Sequence, residues 1–292
     1  MNRYTEPKQT KNDRRQEARE KARQLREQQS KQAKRKKIIL QSSLVAGTIA
    51  VIGVVTFFIV SSITPPGPGP LNMQSDGIKI GEGYVAERTP ALEPDQLPVM
   101  TEENANGVPN IVIFVDYSCP ACAQFEQIYS PMLRTWVESG TATVEYHPLS
   151  FRDAQTAGQR YATRSANAAA CVANFAPDSF FDFTELLFLN QPVPPESVSL
   201  SDDQLKDLVA QSGAENQADI TSCIDDETFV DWVENATRRA MQTGPLPVKN
   251  AEIPVVMGTP TVLVNGKEYS GRSPADLAAF VASLEEQSAE DE

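Results

Sequence analysis

Asn110-Ile-Val-Ile-Phe-Val-Asp-Tyr-Ser-Cys-Pro-Ala-Cys-Ala-Gln-Phe125 decides how this chain folds. Asn110 to Val115 is an apolar run rich in β-branched residues, the pattern of a strand covered on both faces. After it the period changes. Cys122, Phe125, Tyr129, Met132, Leu133, Trp136 and Val137 recur at intervals of three and four, which makes one buried stripe on a helix. Cys119 therefore stands at or just before the helix start, and Pro120 takes the first helical position, where a missing N–H costs nothing. Backbone N–H groups without partners and the positive end of the helix dipole favour a thiolate at such a place. Cys122 lies one turn on, close to Cys119 and on the buried side. One sulfur is thus presented to solvent while the other can close a ring behind it, the geometry that thiol–disulfide exchange needs. Zinc ribbons share the CxxC spacing but need two more ligands, whereas here Cys171 and Cys223 are isolated and His147 is the only histidine.

A second stretch, Met257-Gly-Thr-Pro-Thr-Val-Leu-Val-Asn-Gly-Lys-Glu-Tyr269, carries a strand that enters through Thr-Pro and turns at Asn265-Gly266 into another. Asn-Gly between apolar runs is a strong hairpin cue. Proline at a strand entrance loses a ladder bond, so two readings stand for Thr259–Pro260: a cis bond in a tight turn, or a trans proline before an edge strand.

Taken together, these stretches resemble the thioredoxin superfamily and, within it, the DsbA-like thiol:disulfide oxidoreductases of the membrane-anchored bacterial type. The matching pieces are Phe114 to Phe125, Glu145-Tyr-His-Pro-Leu149, and Gly258-Thr-Pro-Thr-Val262 with its hairpin, within a resemblance that spans roughly residues 78–286. The resemblance implies a thioredoxin fold of the α/β class, with Cys119 as nucleophile and Cys122 as resolving thiol. It also implies a cis-proline loop, Thr259-Pro260, that faces the disulfide and binds substrate backbone. No cofactor or metal is implied.

Two departures bear on the chemistry. Many strongly oxidising relatives carry His after the proline of the motif, where this chain has Ala121, and the nearest downstream cation is Arg134. The helix terminus alone then stabilises the thiolate, by ~0.3–2 kcal/mol, which corresponds to at most roughly 40 mV of added oxidising power. Many relatives also bury an acid six residues before the nucleophile as a proton relay, and here that residue is Ile113. Asp116 and Glu126 are the nearer candidates for a relay, although a solvated or capping carboxylate is the simpler reading of each.

Charge is very unevenly placed. Residues 1–37 hold 14 Lys/Arg and 5 Asp/Glu, a net of +9, whereas the other 255 hold 12 and 34, a net of −22. The run 38–63 carries no charge over 26 residues and as a helix would extend ~39 Å, enough to cross a ~30 Å hydrocarbon core. It is longer than a cleavable leader's apolar segment, so a single uncleaved transmembrane helix is expected. The basic flank places residues 1–37 in the cytoplasm and the acidic body outside the cell membrane. Anionic lipid, not nucleic acid, is then the expected partner of the arm.

Residues 64–77 read as a Pro/Gly-rich linker holding the body off the membrane, and 78–286 as the thioredoxin-like domain. Ile78–Ile80 and Tyr84-Val85 read as short edge strands, and Thr141–Leu149 as a strand. Between that strand and the Thr-Pro hairpin, about 153–245, lies a helical insertion. Ala154 to Phe175 is alanine-rich, and Ser201-Asp-Asp-Gln204 is a capping box. Phe180, Phe181, Phe183 and Phe188 read as core rather than as a groove. Ser273-Pro-Ala-Asp276 opens a last helix to about Glu286, before an acidic tail at 287–292.

Four cysteines outside the cytoplasm suggest two pairs, so Cys171 and Cys223 are expected to form a structural disulfide, the alternative being two separate buried thiols. The expected activity is extracytoplasmic oxidation of free thiols in secreted proteins, with a membrane redox partner for re-oxidation. A reductase or isomerase on the same fold is the alternative within that chemistry, and a Cu(I) metallochaperone using Cys119 and Cys122 is the alternative from another class.

Overall fold

The computed structural model describes residues 67–94, 96–192 and 199–290, together with a few positions between 19 and 31. Among these no helix is long and apolar enough to cross a membrane, and the expected span at 38–63 lies outside them. The described residues from 67 onward belong to one compact unit, Pro66–Glu292.

Strand β2, Asn110–Val115, is buried at every position and sits at the centre of a five-stranded sheet. The other strands are β1 (Ile78–Ile80), β3 (Thr143–Pro148), β4 (Thr261–Val264) and β5 (Lys267–Tyr269), in the order β1-β3-β2-β4-β5. β2 pairs in parallel with β3, Ile113 opposite Tyr146, and antiparallel with β4, Ile113 opposite Val262. Because strand side chains alternate faces, β2 serves two cores. Ile111, Ile113 and Val115 belong to the larger one, while Val112 and Phe114 join Leu246, Val248, Val256 and Leu263 in the smaller.

Helix α1, Pro120–Ser139, connects β2 to β3, starts at the N-cap Cys119 and ends at Gly140 in the left-handed conformation. It runs through Pro131 without interruption in its assignment. Its buried stripe is Cys122, Phe125, Glu126, Tyr129, Leu133 and Val137 with Ser130, so a carboxylate takes a place that apolar periodicity passes over.

The helical insertion follows β3. It comprises α2 (Tyr161–Phe175), α3 (Phe180–Leu189), α4 (Asp202–Gln211), α5 (Gln217–Asp225) and α6 (Val230–Arg238), the last continuing as a π-turn over Arg239–Thr243. Ser201 and Gln204 form the reciprocal capping box of α4. Phe180, Phe181, Phe183 and Phe188 are all buried core. Cys171 on α2 and Cys223 on α5 form a disulfide, with their Cα atoms 5.9 Å apart.

Three boundaries differ from the sequence reading. The stretch from Gly69 to Gly77, expected to belong to a free linker, is packed into the body. Met73 is fully buried, the Asn72 amide donates to the Ala173 carbonyl, and Asp76 pairs with Arg239 at 2.7 Å. Proline and glycine suit an extended coil, but they suit a close-packed entry segment equally well. Tyr84 lies in a 3-10 turn, Glu82–Tyr84, instead of a strand, and Ala86 alone bridges Ile80. The last helix, α7 (Pro274–Glu290), runs on into the acidic tail, since Asp and Glu do not by themselves end a helix.

The disulfide closes a loop of 52 residues, so the chain-entropy model gives it about 4 kcal/mol of stability. Replacing Cys171 and Cys223 together by Ala should lower the unfolding free energy by that amount in a denaturant titration. A loss under ~1 kcal/mol would mean that residual structure in the unfolded chain already holds the two helices together.

Candidate active site

Everything at the C-terminal end of β2 is fixed by the turn Asp116-Tyr117-Ser118 that leads into α1. Asp116 is fully buried, and its carboxylate accepts from the Ser118 N–H at 2.8 Å, the Ser118 hydroxyl at 2.6 Å and the Arg152 N–H at 3.1 Å. Its carbonyl accepts from the Cys119 N–H at 2.9 Å. The turn is thereby closed around one carboxylate.

Cys119 and Cys122 are both free thiols, with relative exposures of 4% and 1%. Cys122 is turned inward, but Cys119 is not presented to solvent as its place at a helix start implied. The Thr259 carbonyl accepts from the Cys119 thiol at 3.3 Å, so the loop at the head of β4 covers the sulfur. The Thr259–Pro260 bond is cis. The structure thus brings together all four residues singled out at the two motifs, from segments 140 residues apart.

The two sulfurs are electrostatically unequal. Cys119 is lowered to a pKa of about 5, first because the Cys122 thiol donates to it. Partial burial works against this, and Thr259 and the N–H groups of Cys122 and Ala121 favour the anion further. The Thr259 hydroxyl is buried and has no hydrogen-bond partner at normal range, which leaves it free to turn toward a sulfur anion. Cys122 is pushed the other way, well above an ordinary thiol, by burial and then by Cys119 beside it. Helix-start geometry alone accounts for only part of the depression of Cys119. The neighbouring thiol and the covering loop, which no sequence period reports, supply the rest.

Neither candidate relay carboxylate is solvated: Asp116 caps the turn before α1, and Glu126 is buried on the helix face without a capping role. Burial raises Asp116 to about 6 against its three hydrogen bonds. Glu126 lies four residues after Cys122 and so on the same helical face. Burial raises it to about 8, with Glu185 adding to the effect; the Tyr146 hydroxyl, donating at 3.2 Å, and Arg134 oppose it. Glu185 itself accepts from Ser130 and is paired with Arg134, which also holds Asp182 at 2.6 Å. Glu126 is thus a buried acid on the helix that carries the cysteines, whereas position 113 of the strand holds Ile.

Other participants left little trace in the sequence. Tyr117 is fully buried, with its hydroxyl 3.1 Å from that of Thr184. Gln191, beyond α3, donates to the carbonyls of Tyr117 and Cys119. Tyr117 lies within the motif stretch but its burial is not marked there, and Gln191 belongs to no motif. His147 is structural: buried on β3, it lies 3.1 Å from Glu145, which also accepts from Ser75 and Thr101. Gly77 is required beside it, because a Cβ there would stand 2.4 Å from the imidazole. Among the described residues no group of three or more His, Cys, Asp or Glu could hold a metal ion.

A thioredoxin family model matches residues 99–283. This chain belongs to the thioredoxin family. Disulfide bond formation protein D of Bacillus subtilis (strain 168) is 27% identical over 179 residues, which is 61% of this chain and 68% of that protein. Two solved structures share the fold. Oxidised DsbA of Mycobacterium tuberculosis superposes with a TM-score of 0.54 at 23% identity, covering 72% of this chain and 92% of that one. Oxidised BdbD of Bacillus subtilis gives 0.52 at 20% identity, covering 76% of this chain and 100% of that one.

Glu126 generates a pH prediction. Its folded pKa of about 8 is above that of an unfolded carboxylate, ~4.3, so the folded state favours the neutral acid. Its contribution is most favourable below ~4.3 and is lost as pH rises towards 8. Glu126→Gln, which keeps the Tyr146 contact and cannot ionise, should therefore melt above the parent at pH 9, with the gap closing by pH 4. Equal melting temperatures across that range would show that Glu126 is ionised at no cost.

Proposed function

We propose that this DsbA-like thiol:disulfide oxidoreductase is an oxidase, making disulfides in secreted proteins with a Cys119-Pro-Ala-Cys122 redox centre. The observation that carries the reading is the inequality of the two sulfurs beneath the cis-proline loop. One is poised as an anion at neutral pH, and the other is held as a thiol behind it. The similarity to a protein named for disulfide bond formation supports the direction.

The oxidised enzyme carries a Cys119–Cys122 bond. A substrate thiolate attacks the Cys119 sulfur, since Cys122 is the deeper of the two. A substrate–Cys119 disulfide forms, the Cys119–Cys122 bond breaks, and the leaving Cys122 sulfur takes a proton. Asp116 and Glu126, with pKa values of about 6 and 8, are the groups suited to deliver it. Substrate backbone meanwhile pairs with the loop at Thr259 and Pro260 as an added strand. A second substrate thiolate attacks the substrate sulfur of the mixed disulfide, and Cys119 departs as a thiolate. Two electrons have passed to the enzyme, which now carries a thiolate at Cys119 and a thiol at Cys122, and a membrane redox partner restores its disulfide.

At pH 7 a thiol of pKa about 5 exists as about 100 thiolates per thiol. That bias favours the reduced enzyme, and at ~30 mV per tenfold it raises the potential by up to about 60 mV, less what solvent screening removes. This exceeds the helix terminus acting alone. The remaining parts of the reading concern place: residues 1–37 cytoplasmic against anionic lipid, 38–63 as a single-pass anchor, and the acidic body outside.

Cys119→Ser should abolish oxidation of a reduced test protein, whereas Cys122→Ser should accumulate substrates bound to Cys119 as mixed disulfides. The potential of the wild-type pair should fall by ~59 mV per pH unit below pH 5 and by ~30 mV above it, because only one of the two protons is then taken up on reduction. Activity retained in Cys119→Ser, or one slope throughout, would remove Cys119 from the role of activated nucleophile. For topology, protease added to wall-stripped cells should digest the body and spare the arm, and a protected body would place it inside.

A further inference from the structure

One amide ties the redox turn to the helical insertion. Gln191 stands two residues beyond α3, and its Nε2 lies 2.7 Å from the Tyr117 carbonyl and 3.0 Å from the Cys119 carbonyl. An amide nitrogen carries two hydrogens, so both bonds form together and use its full donor capacity. The Cys119 carbonyl also accepts from the N–H groups of Cys122 at 3.1 Å and Ala123 at 3.2 Å. Gln191 therefore grips the peptide group on which the first turn of α1 is built.

That turn has no side-chain cap of its own. Cys119 is the N-cap, yet as a thiol its side chain makes no capping bond and donates instead to the Thr259 carbonyl. The usual way of fixing a helix start, a Ser, Thr, Asp or Asn oxygen bonded to the second or third N–H, is unavailable to a residue that must react. Two outside groups replace it: the Asp116 carboxylate fixes Ser118 from the strand side, and Gln191 fixes Tyr117 and Cys119 from the helical side. The N–H groups of Ala121 and Cys122 favour the Cys119 anion, and hydrogen bonds weaken steeply once donors stray from line.

We propose that Gln191 is a positioning residue of the redox centre, holding the turn Tyr117–Cys119, and with it the first N–H groups of α1, in place beside the Cys119 sulfur. The inference rests on the reading of Cys119 and Cys122 as the redox pair. It also gives the helical insertion a part in the chemistry: whatever moves the C-terminal end of α3 alters the reactivity of Cys119. No charged group need approach the sulfur for this.

Gln191→Met keeps the length of the side chain and removes both donors. Gln191→Glu keeps its shape and sets a carboxylate against two carbonyls. In the full-length protein the Cys119 pKa is read from thiolate absorbance against pH, and the equilibrium with glutathione from the fraction reduced, with melting temperature as the check on folding. Both variants should raise the Cys119 pKa by about one unit and shift the glutathione equilibrium about tenfold away from the reduced enzyme, ~30 mV. A role in stability alone would lower the melting temperature and leave both redox readings unchanged. If Gln191→Met does not fold, Gln191→Glu decides. Folded variants with wild-type pKa and equilibrium would overturn the assignment. Failure of the wild-type protein itself to exchange with glutathione would overturn the oxidoreductase reading, and this inference with it.

Discussion

A strand buried on both faces cannot slip. Shifting β2 by one residue would exchange its two cores, sending Ile111 and Ile113 to the side shaped for Val112 and Phe114. That constraint fixes where the strand ends, and with it the turn, the helix start and the direction in which the first sulfur points. β4, locked to β2 by the pairing of Phe114 with Thr261, then carries the cis-proline loop to a set height above that sulfur. The chemistry depends on distances of about 3 Å between segments far apart in sequence, and the packing of one strand is what reproduces them.

The same economy appears in the carboxylates. Burying an acid without neutralising it is expensive, and the molecule meets that cost in different ways at three comparably buried sites. Glu145 is kept ionised, at a pKa of about 2: burial alone would raise it, but His147, Ser75 and Thr101 bring it down. Asp116 is held near 6 by a partial set of donors, and Glu126, with one phenol and a distant guanidinium against a neighbouring carboxylate, is left close to 8. A graded series of acids results, with its two weakest members on the turn and the helix that carry the cysteines.

The elements with strong periodicity were legible in the sequence: β2, the stripe of α1, the hairpin β4–β5 and the capping box at Ser201. So was the convergence of Cys119, Cys122, Thr259 and Pro260, through the resemblance and not through spacing. What escaped has a common cause. The cover over Cys119, the grip of Gln191 and the depth of Glu126 all arise from contacts between segments distant in sequence, and a one-dimensional pattern of polarity does not record them. Glu126 is instructive, because a polar residue at i+4 from a buried cysteine reads as the edge of the stripe, although it occupies the middle. The entry segment misled for a different reason, since Pro and Gly report what a backbone can do and not what it packs against.

The Cys171–Cys223 bond has a meaning beyond stability when set beside the motif. A protein that trades disulfides all its life contains one that must never be traded. Its sulfurs are buried, but no more deeply than those of Cys119 and Cys122, so burial by itself does not keep it out of exchange. What separates them is setting: Cys119 and Cys122 stand three residues apart at a helix start beneath the Thr259 loop, whereas Cys171 and Cys223 join two helices of the insertion across 52 residues. The molecule is a reagent at one end and a finished product of the same reaction in its interior.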